Sequence, residues 1–179
     1  MMNMVEKFIS GGTKLSFYKR MEKICKEKKR VALFVDMDGT IAEYRLYPKD
    51  YITTETRGLF LESKPLKNVI NVLEKLSEIE NLDIYILSLS KSKIIVEEKK
   101  IWLKKYVPFI KEENYIIICR ETGEYNYQNR EYIKSYKMKE KLSEYDFVIL
   151  LDDEHNILRK TQEVLGDKGE AFHVSSVIV

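Results

Sequence analysis

Only two of the 179 residues are cysteine, Cys25 and Cys119, and they stand far apart in no Cys-x-x-Cys or Cys/His grouping. That excludes a disulfide framework and a zinc site, and it fits a reduced, cytoplasmic setting. Long apolar runs are also missing. Nothing approaches the roughly 18 residues of a membrane span, and the opening stretch Met1 to Ser10 lacks the apolar core of a secretory signal. Nor does charge of one sign dominate: 31 Lys plus Arg face 29 Asp plus Glu. Whole-chain charge therefore gives no ground for a nucleic acid polymer or a membrane as partner. No internal repeat or low-complexity segment is present. The length suits one domain with a proper core and room for a small insertion, and the composition predicts a soluble, intracellular protein.

The stretch around which the chain is organised is Val31-Ala-Leu-Phe-Val-Asp36-Met-Asp38-Gly39-Thr40. Five apolar residues without alternation predict a strand buried on both faces, as in the middle of a parallel sheet. Side chains at i and i+2 of a strand point the same way. Asp36 and Asp38 are thus expected to crowd one site at the carboxyl edge of the sheet, where open α/β folds bind ligands. Two close carboxylates repel, and a divalent cation is the simplest remedy. The plainer reading is a strand that ends in polar turn residues, Asp-Gly being a common turn signal.

Along the rest of the chain the pattern predicts alternating helices and strands. A helix over 14–28 carries an apolar stripe and a basic face, and residues 1–30 read as an N-terminal helical extension to a core of 31–179. Residues 41–64, with Pro48 inside and Pro65 directly after, read as an irregular insertion, a small cap over the carboxyl edge. Pro65 to Ile79 sets Leu66, Val69, Ile70, Leu73 and Leu76 at helical spacing behind a proline in the first turn. Ile84–Leu87 is a second buried strand, leading into Ser88-Leu-Ser90; one or two helices follow over 93–106, then a third strand over 115–119. The polar, tyrosine-rich stretch 120–136 precedes a short helix over 137–143. Phe147–Leu151 is a fourth buried strand ending in Asp152-Asp153, followed by a helix over 156–165 and a last strand over 171–174.

This order argues a Rossmann-like three-layer α/β/α fold with a mainly parallel sheet. If the strands ending in Asp36-x-Asp38, Ser88 and Asp152-Asp153 are neighbours, four carboxylates and a hydroxyl converge on one crevice, a cage for Mg2+ and a phosphate. A protein cation is then wanted beside the phosphate, and Lys134, Lys137, Lys139 and Lys141 lie upstream of the fourth strand.

The order Asp36-Met-Asp38-Gly-Thr, Ser88 at a strand end, a lysine, then Asp152-Asp153 resembles the haloacid dehalogenase superfamily, most of whose members are phosphohydrolases. Two further stretches, Arg57-Gly-Leu-Phe60-Leu-Glu-Ser-Lys-Pro65-Leu and Lys99-Lys-Ile-Trp102-Leu-Lys-Lys-Tyr106-Val-Pro108-Phe, look like its 5'(3')-deoxyribonucleotidase branch. The resemblance implies Asp36 as the nucleophile that becomes an aspartyl phosphate and Asp38 as the general acid and base. It also implies Mg2+ held by Asp36, the backbone carbonyl of Asp38, Asp152 and Asp153, with phosphoryl oxygens held by Ser88 and a lysine. Lys134, followed by Ser135, is the lysine chosen, with Lys137, Lys139 and Arg130 as alternatives. Tyr44, Tyr47 and Phe60 either flank a base or pack within the cap. The substrate expected is a small phosphomonoester, a nucleoside monophosphate. The rival readings are a phosphatase of a sugar phosphate or other metabolite, and a nucleotide-binding protein without turnover.

Overall fold

The computed structural model describes residues 16–45 and 57–177; Tyr47, Pro48 and the expected helix start at Lys14 lie outside them. In chain order the elements are α1 (Phe17–Glu27), β1 (Val31–Val35), α2 (Lys67–Leu76), β2 (Leu82–Ser90), α3 (Lys93–Tyr106), β3 (Tyr115–Cys119), α4 (Ile133–Glu140), β4 (Phe147–Asp152), α5 (His155–Leu165) and β5 (Gly169–His173). The five strands form one wholly parallel sheet in the order β3-β2-β1-β4-β5. The chain builds outward from β1 through β2 to β3, then crosses back to β4 on the other side of β1. The carboxyl ends of β1 and β4 are therefore the switch point where such sheets open a crevice.

The unbroken apolar runs are explained by two cores, one on each face of the sheet. Val31, Leu33 and Val35 of β1 and Phe147, Ile149 and Leu151 of β4 pack into the larger core with α1, α2 and α3. Ala32, Phe34, Val148 and Leu150 turn to the smaller one with α4 and α5. With both faces covered, alternation of polar and apolar residues has no place in these strands. α1 joins the larger core through Phe17, Met21, Ile24 and Cys25; Phe17 meets Phe172 edge-on at 5.3 Å, and Arg20 pairs with Glu170. The long stripe of α2 is buried at Val69, Ile70, Leu73 and Leu76. That helix starts at Lys67 rather than Pro65: Leu66 is the cap residue, its ψ of 79° is not helical, and its N–H goes to the Ile41 carbonyl at 2.8 Å.

Other boundaries also differ from the pattern reading. β2 runs on through Ser88, Leu89 and Ser90, which pair with Ile117, Ile118 and Cys119 of β3. The helix expected over 137–143 instead covers Ile133–Glu140, followed by a 3-10 turn at Lys141–Ser143. β5 begins at Gly169, two residues early, and Val174 opens a 3-10 turn. Among the described residues no helix is long and apolar enough to cross a membrane.

Candidate active site

Strand alternation decides which way the site residues face. Val35 and Leu151 point into the α1–α3 core, so the next residues, Asp36 and Asp152, turn to the opposite face, where α4 lies. There Lys134, in the first turn of α4, sets its Nζ 2.6 Å from Asp36 Oδ1 and 2.6 Å from Asp152 Oδ2. The remaining Asp152 oxygen accepts the Glu154 N–H at 2.8 Å. Lys134, Asp36 and Asp152 are all buried, at 2%, 5% and 0% exposure. Lys137, by contrast, pairs with Glu140 at the surface, and Lys139 is exposed. Arg130 forms a bidentate pair with Glu154 at the rim.

Ser88 follows Leu87, which points into the α4–α5 core, so it faces the other way, toward α3. It meets a second buried lysine. Lys99 Nζ lies 2.5 Å from Asp38 Oδ2, 2.8 Å from Ser88 Oγ and 2.8 Å from the Leu89 carbonyl oxygen, so all three ammonium hydrogens have partners. β1 ends at Val35, and the period of two does not carry Asp38 alongside Asp36. A tight turn takes Asp38 toward Lys99, with Gly39, Thr40, Ile41 and Ala42 hydrogen-bonded across it. The two acids line one cavity of about 350 Å³, but each is held by its own lysine.

Asp153 completes the acidic group. Oxygens of Asp36, Asp152 and Asp153 lie within 4.8 Å of one another, a set of hard donors suited to a divalent cation. The carboxylate of Asp38 is outside this group, on Lys99. Burial, opposed by Lys134 and reinforced by the charges of Asp152 and Asp38, raises Asp36 from 3.8 to about 7. Burial and then the neighbouring Asp152 raise Asp153 to about 6. Burial works against the charge on Lys134, yet Asp152 and Asp36 outweigh it and keep the ammonium above its ordinary range. The site thus holds more negative charge than one lysine neutralises, which is the condition a cation relieves.

Gly39 is what allows Asp153 to come so close. Its φ is +77°, and a Cβ there would stand 2.3 Å from Asp153 Oδ2. Gly39→Ala is expected to cost about 1–2 kcal/mol of stability through the backbone alone and to push Asp153 off the cluster. Urea unfolding with and without a divalent cation checks this. The variant should gain less from the ion than the parent does, and an undiminished gain would show that Asp153 is not needed to hold it.

The rest of the cavity lining comes largely from the cap and from the β3–α4 connection. Tyr44, Leu59, Phe60 and Ser63 line the cavity together with Arg120, Tyr125, Tyr127 and Arg130. Tyr44 is 62% exposed and free to meet a ligand, whereas Phe60 is 6% exposed and packs edge-on to Trp102, 5.9 Å between ring centres. Pattern reading gave no role to Glu98 and Lys99. A signal was available: Ile95, Glu98, Lys99, Trp102 and Tyr106 share one helical stripe, so the two charges sit where apolar residues belong.

Comparison with known proteins agrees with this geometry. The family described as "5' nucleotidase, deoxy (Pyrimidine), cytosolic type C protein" matches residues 45–158, more than half of the chain. The match opens beyond Asp38. Among solved structures, the HAD domain of the effector protein Lem4 from Legionella pneumophila is similar, with a TM-score of 0.52 and 17% identity over 81% of this chain and 87% of that one. An inactive mutant of the same domain gives 0.50 and 15% over 80% and 84%. At such identities the likeness speaks for the fold, and it extends to the haloacid dehalogenase core as a whole. No curated protein matches the sequence. With the switch-point site and the matched span together, the chain belongs to the cytosolic type C family of 5' deoxynucleotidases and is a phosphohydrolase of the haloacid dehalogenase superfamily.

Proposed function

We propose that the protein is a Mg2+-dependent phosphomonoesterase that acts on nucleoside monophosphates through a phosphoryl group carried on Asp36. One observation carries the reading: a buried carboxylate, Asp36, shares Lys134 with Asp152, and Asp36, Lys134 and Asp38 line one cavity of about 350 Å³. A cavity of that size holds a small phosphomonoester. Tyr44, Tyr125 and Tyr127 on its walls, with the substrate named in the family's description, favour a nucleoside as the organic part.

In this reading an Asp36 oxygen attacks phosphorus and the bond from phosphorus to the ester oxygen breaks, leaving the phosphoryl group on Asp36. Asp38 gives a proton to the departing alkoxide. It then takes one from the water that cleaves the acyl phosphate, which returns Asp36 and releases inorganic phosphate. Lys99 fixes one oxygen of Asp38, so the acid is held near the leaving group rather than swinging into solvent. Lys134, which lines the cavity, holds the phosphoryl oxygens as a permanent cation, and Ser88, fully buried, acts from behind Lys99. Asp36, Asp152 and Asp153, with the Asp38 carbonyl, would hold Mg2+, which would supply the charge neutralisation a dianionic phosphate needs beside a carboxylate.

Purified protein with Mg2+ should release phosphate from deoxynucleoside monophosphates and stop when EDTA is added. A clear preference for sugar phosphates would replace the nucleotidase reading, and no release from any monophosphate would overturn the enzymatic one.

The raised acids also set a pH dependence. Between 3.8 and about 7 the folded, metal-free protein holds protons on Asp36 that the unfolded chain has lost. That stabilisation is complete below the unfolded value and disappears as pH rises through the folded one. Metal-free protein should therefore lose stability on going from about pH 4 to about pH 8, and Mg2+ should raise the melting temperature more at the upper end. Melting curves across that range, with Mg2+ and with EDTA, check the sign.

A further inference from the structure

Glu98 is a buried carboxylate that the chemistry above does not use. It is 5% exposed, lies one residue before Lys99 on α3, and faces the cap rather than the acids. Its Oε1 accepts the Gly58 N–H at 2.5 Å and its Oε2 accepts the Phe60 N–H at 2.9 Å. Gly58 has φ +83°, and this brings two backbone donors of one turn to bear on a single anion. Burying a carboxylate is costly unless its charge is met by hydrogen bonds, so a side chain in this position is explained by what it holds. What it holds is the cavity wall: Leu59, between the two donors, and Phe60 both line it.

The same helix fastens this turn at further points. Trp102 donates its indole N–H to the Ser63 carbonyl at 2.8 Å and packs against the Phe60 ring, and Lys99 Nζ stands 5.0 Å from the centre of that ring. Residues 98, 99 and 102 of α3 thus tie the cap return to the helix that carries the partner of Asp38. Of these ties, the one from Glu98 fixes the backbone that bears both lining side chains.

We propose that Glu98 is a positioning residue for substrate choice, clamping the Gly58–Phe60 turn so that Leu59 and Phe60 form a fixed wall against the organic part of the phosphomonoester. This rests on the phosphohydrolase reading given above. At the phosphate end Lys134 bonds to Asp36 and Asp152, and the clamp runs from Glu98 to Gly58 and Phe60, so the two ends use different hydrogen bonds and are separable by experiment.

In Glu98→Gln an amide N–H group faces one of the two backbone donors, and one of the hydrogen bonds is lost. The variant should lose about tenfold or more in kcat/KM for a deoxynucleoside monophosphate, chiefly through KM. Turnover of acetyl phosphate, which has little organic part to meet the wall, and inhibition by inorganic phosphate should change less than about twofold. Phe60→Ala should show the same pattern, and the double variant should be no worse than the poorer single one. Amide hydrogen exchange should speed up at residues 58–60 while β1 and β4 keep their protection. Equal losses for the two substrates would mark Glu98 as merely structural and overturn the proposal, as would unchanged exchange at Gly58 and Phe60. Wild-type turnover reports on the phosphohydrolase reading independently, and the exchange comparison decides on the clamp whether or not that reading survives.

Discussion

Asp36→Asn is expected to abolish phosphate release, by on the order of four decades or more in kcat, without unfolding the protein. The amide has nearly the shape of the carboxylate but cannot displace an alkoxide from phosphorus, and no second carboxylate occupies its place: Asp152 is fully buried and taken by Lys134 and the Glu154 N–H, while Asp38 is on Lys99. The effect on stability should be of opposite character. Asp36 is in a position that burial makes hostile to negative charge, hence its rise to about 7. A neutral amide suits it, so metal-free Asp36→Asn should match or exceed the parent in stability at about pH 8 and lose the parent's decline with pH. Phosphate release and melting curves on the same preparation separate the two. An inactive variant that also fails to fold would leave kcat uninformative, so the melting curve is the control that gives the loss its meaning.

Lys134→Met is the second large effect, and here stability carries it. The substitution keeps the length and apolar stem but leaves two buried carboxylates without their shared cation. Removing one partner of a buried charge cluster typically costs about 3–5 kcal/mol. Metal-free Lys134→Met should approach that loss at neutral pH and lose less in acid, where Asp36 takes up a proton and the repulsion between Asp36 and Asp152 fades. Mg2+ should recover part of it by standing in for the missing positive charge. Lys137→Met and Lys139→Met should stay within about 0.5 kcal/mol of the parent, since neither lysine reaches the cluster. Urea unfolding at two pH values with and without Mg2+ measures all of these. A Lys134→Met protein as stable as the parent at neutral pH in EDTA would show that the three buried charges do not form a unit.

The parts of the fold that were legible in the chain are those where burial is two-sided or the stripe is clean. β1 and β4 announce themselves as unbroken apolar runs because both faces of the sheet are covered, and α2 because its stripe is long and its proline sits at the start. α4 was displaced by four residues for a physical reason. Its buried face is Lys134, Ser135 and Met138, of which Met138 joins the smaller core while Lys134 meets carboxylates, so the helix has almost no amphipathic signature to read. The extension of β2 through Ser88 and Ser90 was hidden in a similar way, since small hydroxyls that resemble a turn are buried at 0% and 3% in the strand.

In the site, the acids at the strand ends could be found because the chemistry forces unusual residues onto conspicuous strands. That Asp36 and Asp38 would lean on different lysines could not be. It follows from β1 ending one residue before Asp36, and strand boundaries are the least determined feature of a pattern. Lys99 and Glu98 were written in the stripe of α3, but a charge on an apolar face is visible as an anomaly only once the face is known to be buried.

Passage of a phosphoryl group through Asp36 is tested most directly by an acid quench of the enzyme during turnover of a deoxynucleoside monophosphate with Mg2+, followed by mass spectrometry of its peptides. One added phosphoryl group is expected on the peptide containing Asp36, absent in EDTA and absent in Asp36→Asn. Active enzyme whose peptides carry no phosphoryl group at any quench time, or carry it on a residue other than Asp36, would contradict passage through Asp36.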